Sequence, residues 1–320
     1  MLLNLILFQQ EAAPAAAESA KEAAKEGFNA GETIIEHVSN SSHEHPLLHL
    51  PHVFGIDFSV TKHVFMMWLV AAILFVVITW TVRRYLKQEQ RLPTGLMNGL
   101  EAVVEFIRDS IALPNFGAKW VMTWTPLLLT LFFFILGANA IGLIPIFDVV
   151  AVLDHFVLHT GPESIFKQII HGGTTATANF NVTAALATIT FIAIIIAGAK
   201  AHGFVKHWKN IVPHGLHPLI YIILIPIEIM GMFVRPFALT MRLAANMTGG
   251  HIAILAILSF VFLFAEKLGG AAVGMGVGAL VSVPMAAAIS GLEIIVVLVQ
   301  AYVFTLLTAV FIGMAIHAHH

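Results

Sequence analysis

The chain contains no cysteine in 320 residues, which excludes disulfides, thiolate catalysis and cysteine-based metal sites. It is also poor in charge. Asp, Glu, Lys and Arg make up 11% of it, against about 25% in a soluble domain. Its formal net charge is −2, so charge balance points to no nucleic-acid partner. What is present instead is apolar, 58% of the residues, in long runs. Lipid is therefore the relevant solvent, and the composition predicts an all-α polytopic membrane protein.

Residues 1–60 read as an extracytoplasmic tail and residues 61–320 as one membrane domain. Two readings of the start remain open: a weak signal peptide cut near its Ala-rich part, or a partly helical, solvated tail. Five histidines (His37, His43, His45, His49 and His52) follow in a segment best read as solvated rather than metal-binding; no metal or cofactor is expected. Apolar runs then cover Val64–Val82, Val121–Phe147 and Val182–Ala199, followed by two much longer ones, Pro218–Phe264 and Ala271–Ile316. Five membrane-crossing units is the simplest count.

Basic residues set the orientation. With Arg83, Arg84, Lys87 and Arg91 in the cytoplasm, three spans later Lys200, Lys206 and Lys209 fall there too. The amino end is then extracytoplasmic and the carboxyl end cytoplasmic. The segment Thr94–Ile111 places Leu96, Leu100, Val103 and Ile107 at helical spacing and reads as an amphipathic surface helix.

The long runs carry a geometric message. Forty-seven helical residues from Pro218 extend roughly 70 Å, against about 30 Å of hydrocarbon. Either each run breaks into two spans, or each is a long tilted helix, the two forming an antiparallel hairpin. The second arrangement is the expectation, with Pro226, Pro236 and Pro284 as sites of kinking.

Within Pro218–Phe264 only Glu228, Arg235 and Arg242 carry charge. At about 100° per residue, Gly231, Arg235, Ala238, Ala245, Gly249, Ala253 and Ala256 lie within about 60° of Arg242. The face is a strip of small residues with one guanidinium projecting from it, and small residues let another helix approach closely in lipid. A charge there costs from about three to more than about ten kcal/mol, so it needs a partner. Glu228 shares the face but lies about 21 Å away along the axis. Two partners are open: Glu293 on the last long helix, or a carboxylate brought to the strip by another chain.

The stretch "RPFALTMRLAANMTGGH" (Arg235–His251) resembles the signature of subunit a of bacterial F-type ATP synthases. "NAIGLIPIF" (Asn139–Phe147), "NFNVT" (Asn179–Thr183), "PIEI" (Pro226–Ile229) and "VQAYVFTLLTAVFI" (Val299–Ile312) extend the resemblance over roughly Val64–Ile316. The resemblance implies a stator in the bacterial inner membrane, without catalytic chemistry of its own. Its partners would be a ring of small hairpin subunits (the c-ring), the subunit b stalk, the other synthase subunits and membrane lipid. The two long helices would lie against the ring, with Gly231, Ala238, Ala245 and Gly249 facing it. Two offset half-channels would carry protons to and from the ring carboxylates, with Arg242 separating them. Asn139, His251, Glu293 and Gln300 would line the outer path, Glu228 and Arg235 the inner one, and Asn246 would hold the Arg242 head group. Asn179 stands where many relatives have Asp. Many bacterial relatives also carry an acid at the place of His251 and a histidine at the place of Glu293, so the two are exchanged here.

Two other functions are disfavoured. A secondary transporter predicts inverted repeats, and the halves show no internal symmetry. An intramembrane enzyme predicts a nucleophile pair or a metal-binding helix, and neither Ser/His pair nor HExxH motif occurs.

Overall fold

A computed structural model of the chain describes residues 59–88, 92–143, 175–209, 218–267 and 271–317. Within them the regular elements are helical: α1 (Lys62–Leu86), α2 (Leu96–Glu105), a π-helical segment (Phe106–Ala112), α3 (Leu113–Leu143), a 3-10 turn (Ala176–Ala178), α4 (Phe180–His202), α5 (Phe204–Lys209), α6 (Pro218–Lys267) and α7 (Ala271–Ile316). Five helical stretches are long and apolar enough to cross a membrane. The His-rich segment, the end of "NAIGLIPIF" and the carboxyl-terminal "AHH" lie outside the described residues.

Each long apolar run is a single helix, of 50 residues in α6 and 46 in α7. The reading of four ordinary spans is thereby excluded. The apolar stretches Ile220–Phe260 and Gly278–Ile316 hold 41 and 39 residues. At about 1.5 Å per residue each is roughly twice the thickness of the hydrocarbon, so an unbroken helix of this length can lie within it only at a steep tilt.

The amphipathic segment is helical as expected, but it runs on through the π-helical turn into α3 rather than standing alone. Ile107, Ile111 and Phe116 are fully buried, while Leu96 and Phe106 are exposed. Two sharp changes of direction use glycine. Gly117 (φ 70°) interrupts α3 near its start, and Gly203 (φ 87°) ends α4, its N–H donating to Ala199 O at 2.8 Å. Positive φ at both sites suits a residue without Cβ.

In an apolar medium, hydroxyls must find internal partners. Thr81, Thr125, Thr240 and Thr305 each donate to the carbonyl four residues back, at 2.6–2.9 Å. At the end of α1, Arg83 and Arg84 sit where the helix dipole favours cations, and Arg84 lies over the Trp80 ring at 5.4 Å.

The chain divides into two compact units. The described part of the smaller unit is Ile252–Ile289, from α6 and α7. The larger comprises residues 40–251 and 290–320 and holds the main core, in which Ile107, Leu128, Ile135, Leu243, Phe304 and Ile312 are fully buried. Within it, α3 packs on α1 through Gly137, where an added Cβ would lie 3.1 Å from Leu74. Helix α7 is tied to α4 by Thr190 and Thr308, with hydroxyls 3.3 Å apart, and by His202, whose Nε2 donates to Ile316 O at 2.9 Å.

Candidate functional site

The polar residues of the larger unit meet where the end of α3, the 3-10 turn before α4 and the facing parts of α6 and α7 converge. Local chemistry shapes the turn. Asn179 caps α4, its side chain accepting from Asn181 N–H at 2.8 Å. That bond commits Asn179 to a helix start. The turn places Thr175 and Thr177 inward, both fully buried. Thr177 donates to the Asn139 side-chain oxygen, and Thr248 of α6 donates to Ala178 O at 3.2 Å.

Helices α6 and α7 face one another in antiparallel register. The Arg235 guanidinium lies 5.5 Å from the Phe311 ring centroid, Asn246 Nδ2 donates to Gln300 Oε1 at 3.1 Å, and His251 Nδ1 lies 3.1 Å from Glu293 Oε1. Position numbers rise on one helix as they fall on the other, as a hairpin requires. His251 is held at both ring nitrogens, because its Nε2 lies 2.8 Å from Thr175 Oγ1. Gly250 makes this geometry possible: a Cβ there would overlap the Glu293 carboxylate.

Arg242 presents the opposite character. It is exposed, as are Ala238, Ala245 and Gly249, while Gly231 is half-buried. A Cβ added at Gly231 or Gly249 would meet nothing within 4 Å. Among the described residues Arg242 makes no ion pair, and the acid proposed as its internal partner is engaged elsewhere: Glu293 pairs with His251. The internal Arg–Glu293 bridge is therefore ruled out, because the bond that holds Glu293 turns it toward the packed face. Glu228 is half-buried and forms no ion pair among the described residues. Asn246 donates its amide N–H to Gln300; toward a guanidinium, which only donates, its side-chain oxygen would be the acceptor.

The structure thus joins His251 with Glu293 and Asn246 with Gln300, and reaches Asn139 through Thr177. It leaves Arg242 and Glu228 outside that network. Three buried polar atoms in the cluster, Asn139 Nδ2, Glu293 Oε2 and Gln300 Nε2, find no partner among the described residues. Each such atom costs about 1–3 kcal/mol unless satisfied, and water is the small partner that can satisfy it. Thr175 and Thr177 were not singled out in the sequence, where they stand in a run of small polar residues that reads as a loop.

Comparison with known proteins gives concordant matches. The family model described as ATP synthase A chain matches residues 64–313. The chain is 40% identical over 304 residues to "ATP synthase subunit a 2" of Chlorobium luteolum, covering 92% of this chain and 79% of that protein. It is 39% identical over 323 residues to "ATP synthase subunit a 2" of Prosthecochloris aestuarii, covering 98% and 89%. It is 38% identical over 335 residues to "ATP synthase subunit a" of Anaeromyxobacter dehalogenans, covering 97% and 77%.

Proposed function

Because the chain belongs to the ATP synthase A chain family, and so is a membrane subunit of that complex, we propose that it is the proton-conducting stator of a bacterial F-type synthase. It delivers protons to the carboxylates of a c-ring through one half-channel and receives them into another, and a subunit b stalk holds it. The membrane is the bacterial inner membrane, with the carboxyl end cytoplasmic, as the basic residues after the first and third spans indicate.

The observation that carries this reading is the contrast between the two sets of polar residues. Arg242 stands on an open strip of small residues, without an ion pair on its own chain among the described residues. His251 and Glu293 are turned inward and bonded. A guanidinium remains protonated and cannot relay protons, but it favours ionisation of a carboxyl group brought beside it. A ring carboxylate passing the strip made by Ala238, Ala245 and Gly249 meets that charge. A proton travelling straight from one half-channel to the other must also pass it. The inner route runs by Glu228 and Arg235, and the outer by Asn139, Glu293, His251 and Gln300, where the orphaned polar atoms support a hydrated path. Each proton carries about 2.3 kcal/mol per 100 mV, so a short circuit would dissipate the work of the motor.

Replacing Arg242 tests this directly. In Arg242→Ala, ATP synthesis is expected to fall to background, while passive proton conduction through the assembled membrane sector rises. Arg242→Lys also fails at synthesis, because a compact ammonium lacks the planar reach of guanidinium. Synthesis in Arg242→Ala membranes near the wild-type rate would remove the gate assignment.

A further inference from the structure

We propose that Thr175 is a positioning residue for the His251–Glu293 pair, its hydroxyl serving as the two-way partner that keeps the imidazole aligned in every protonation state it passes through. The inference rests on the proton-path reading of His251 and Glu293.

The geometry is specific. Thr175 Oγ1 lies 2.8 Å from His251 Nε2, while Nδ1 on the far side of the ring lies 3.1 Å from Glu293 Oε1. Thr175 is fully buried, so bulk solvent does not replace its hydroxyl. Its position is built in from behind: a Cβ at Gly142 would overlap Thr175 Oγ1, so the end of α3 leaves the space this side chain occupies.

The chemistry needs a group that both donates and accepts. When the ring is neutral with its proton on Nδ1, that N–H donates to Glu293 and Nε2 accepts from the Thr175 hydroxyl. When a proton arrives at Nε2, the imidazolium donates from both nitrogens, and the same hydroxyl, rotated, accepts. Passing the Nδ1 proton to Glu293 leaves the other neutral tautomer, whose Nε2–H still donates to Thr175. No proton is created or lost, and the ring keeps two partners throughout. A carboxylate at this place would only accept, an ammonium would only donate, and an apolar side chain would leave Nε2 without this partner.

His251 is bonded to Glu293 of α7, which titrates, and to Thr175 of the 3-10 turn, which does not, and Arg242 is nine residues back on the ring's own helix. A pH profile therefore reports on the pair and on what orients it.

The test is ATP-driven acidification of inverted vesicles carrying the whole complex, read by quinacrine-type quenching at equal assembly, over a pH series from about 6 to about 8. Thr175→Ser, which keeps the hydroxyl, is expected to pump near the wild-type level with the wild-type profile. Thr175→Val, close in shape but without the hydroxyl, is expected to lose roughly tenfold, the effect of one hydrogen bond to a charged group. Its pH profile is expected to differ from the wild-type one, because the charged ring loses an acceptor at Nε2 and the neutral ring a donor. Should Thr175→Val assemble poorly, Thr175→Ala, which also lacks the hydroxyl but adds no bulk, answers the same question. Val and Ala variants that match wild type at every pH, in a background where His251→Ala stops pumping, would overturn the role of Thr175 alone. So would a Ser variant as damaged as the Val variant, since bulk and not the hydroxyl would then matter. Normal pumping by His251→Ala would overturn the proton-path reading beneath it.

Discussion

Gly249 and Gly250 are neighbours in sequence and opposites in setting. A Cβ at Gly249 would meet open space, whereas one at Gly250 would overlap the Glu293 carboxylate. One face of α6 is left bare around Arg242, and the next is filled by the other helix of the hairpin. The glycines differ in what surrounds them: one leaves a surface open, as the proposed rotor contact requires, and the other lets two helices of the same chain come close enough for an imidazole to reach a carboxylate. Smallness alone does not tell an interface from a core; the neighbouring atoms do.

The sharpest way to break that comparison is to fill each site in turn. Gly250→Val is expected to displace Glu293, at an overpacking cost of about 1–3 kcal/mol, and to abolish pumping together with a measurable loss of assembled subunit. Gly249→Leu should insert at wild-type level, yet block ATP-driven pumping by jamming the rotor face. Immunoblots of membranes for the subunit, paired with vesicle acidification, separate the two. A Gly249→Leu complex that pumps normally would show that this strip is not the rotor contact.

A smaller effect is expected from trading the two titratable partners on the packed face. His251→Ala and Glu293→Ala should each sharply reduce flux. The double exchange, His251→Glu with Glu293→His, should recover a substantial part, because the pair needs one acid and one imidazole rather than a fixed order. Fluorescence quenching at equal assembly reads the result, and an exchange no better than either single replacement would show that the two do not act as a unit.

The smallest effect is expected at α5. There His207 is buried against Gly198, where an added Cβ would overlap its imidazole ring. Burial, with a lesser push from His202, lowers the pKa of His207 below its ordinary value of 6.5. The sign follows. Below about pH 6.5 the unfolded segment takes up a proton that the packed ring resists, so the docking of α5 is fully stable above that value and weakens as pH falls further. Hydrogen exchange of the α5 amides should therefore accelerate between pH 7 and pH 5, and His207→Phe should flatten the dependence. Gly198→Ala should raise α5 exchange at both pH values.

Much of the site was legible before any coordinates. Arg242 stands out because a permanent charge in an apolar helix has to be explained, and the small residues around it follow from helical spacing. The exchange of acid and histidine between positions 251 and 293 already marks the two together, and nine residues at about 100° each turn His251 about 180° from Arg242. Less legible was the fate of Asn246 and Asn179. Both are polar and near the proposed path; Asn246 donates to Gln300, and Asn179 caps α4. Thr175 and Thr177 gave no signal at all, because threonine is common and is usually satisfied by its own helix, as Thr81 and Thr125 are here.

The sequence by itself determined the lipid environment, the five apolar crossings and the great length of the last two helices. These depend on local quantities: transfer free energy summed along the chain, and rise per residue. It also determined that Arg242 has no carboxylate near it on its own helix. Only the tertiary structure decided which acid Glu293 is, a partner for His251 and not for Arg242. Only it brought a threonine from before α4 to the far side of that imidazole. Such bonds join residues 76 and 42 positions apart, and they depend on how helices are set against one another, which periodicity along one helix does not encode.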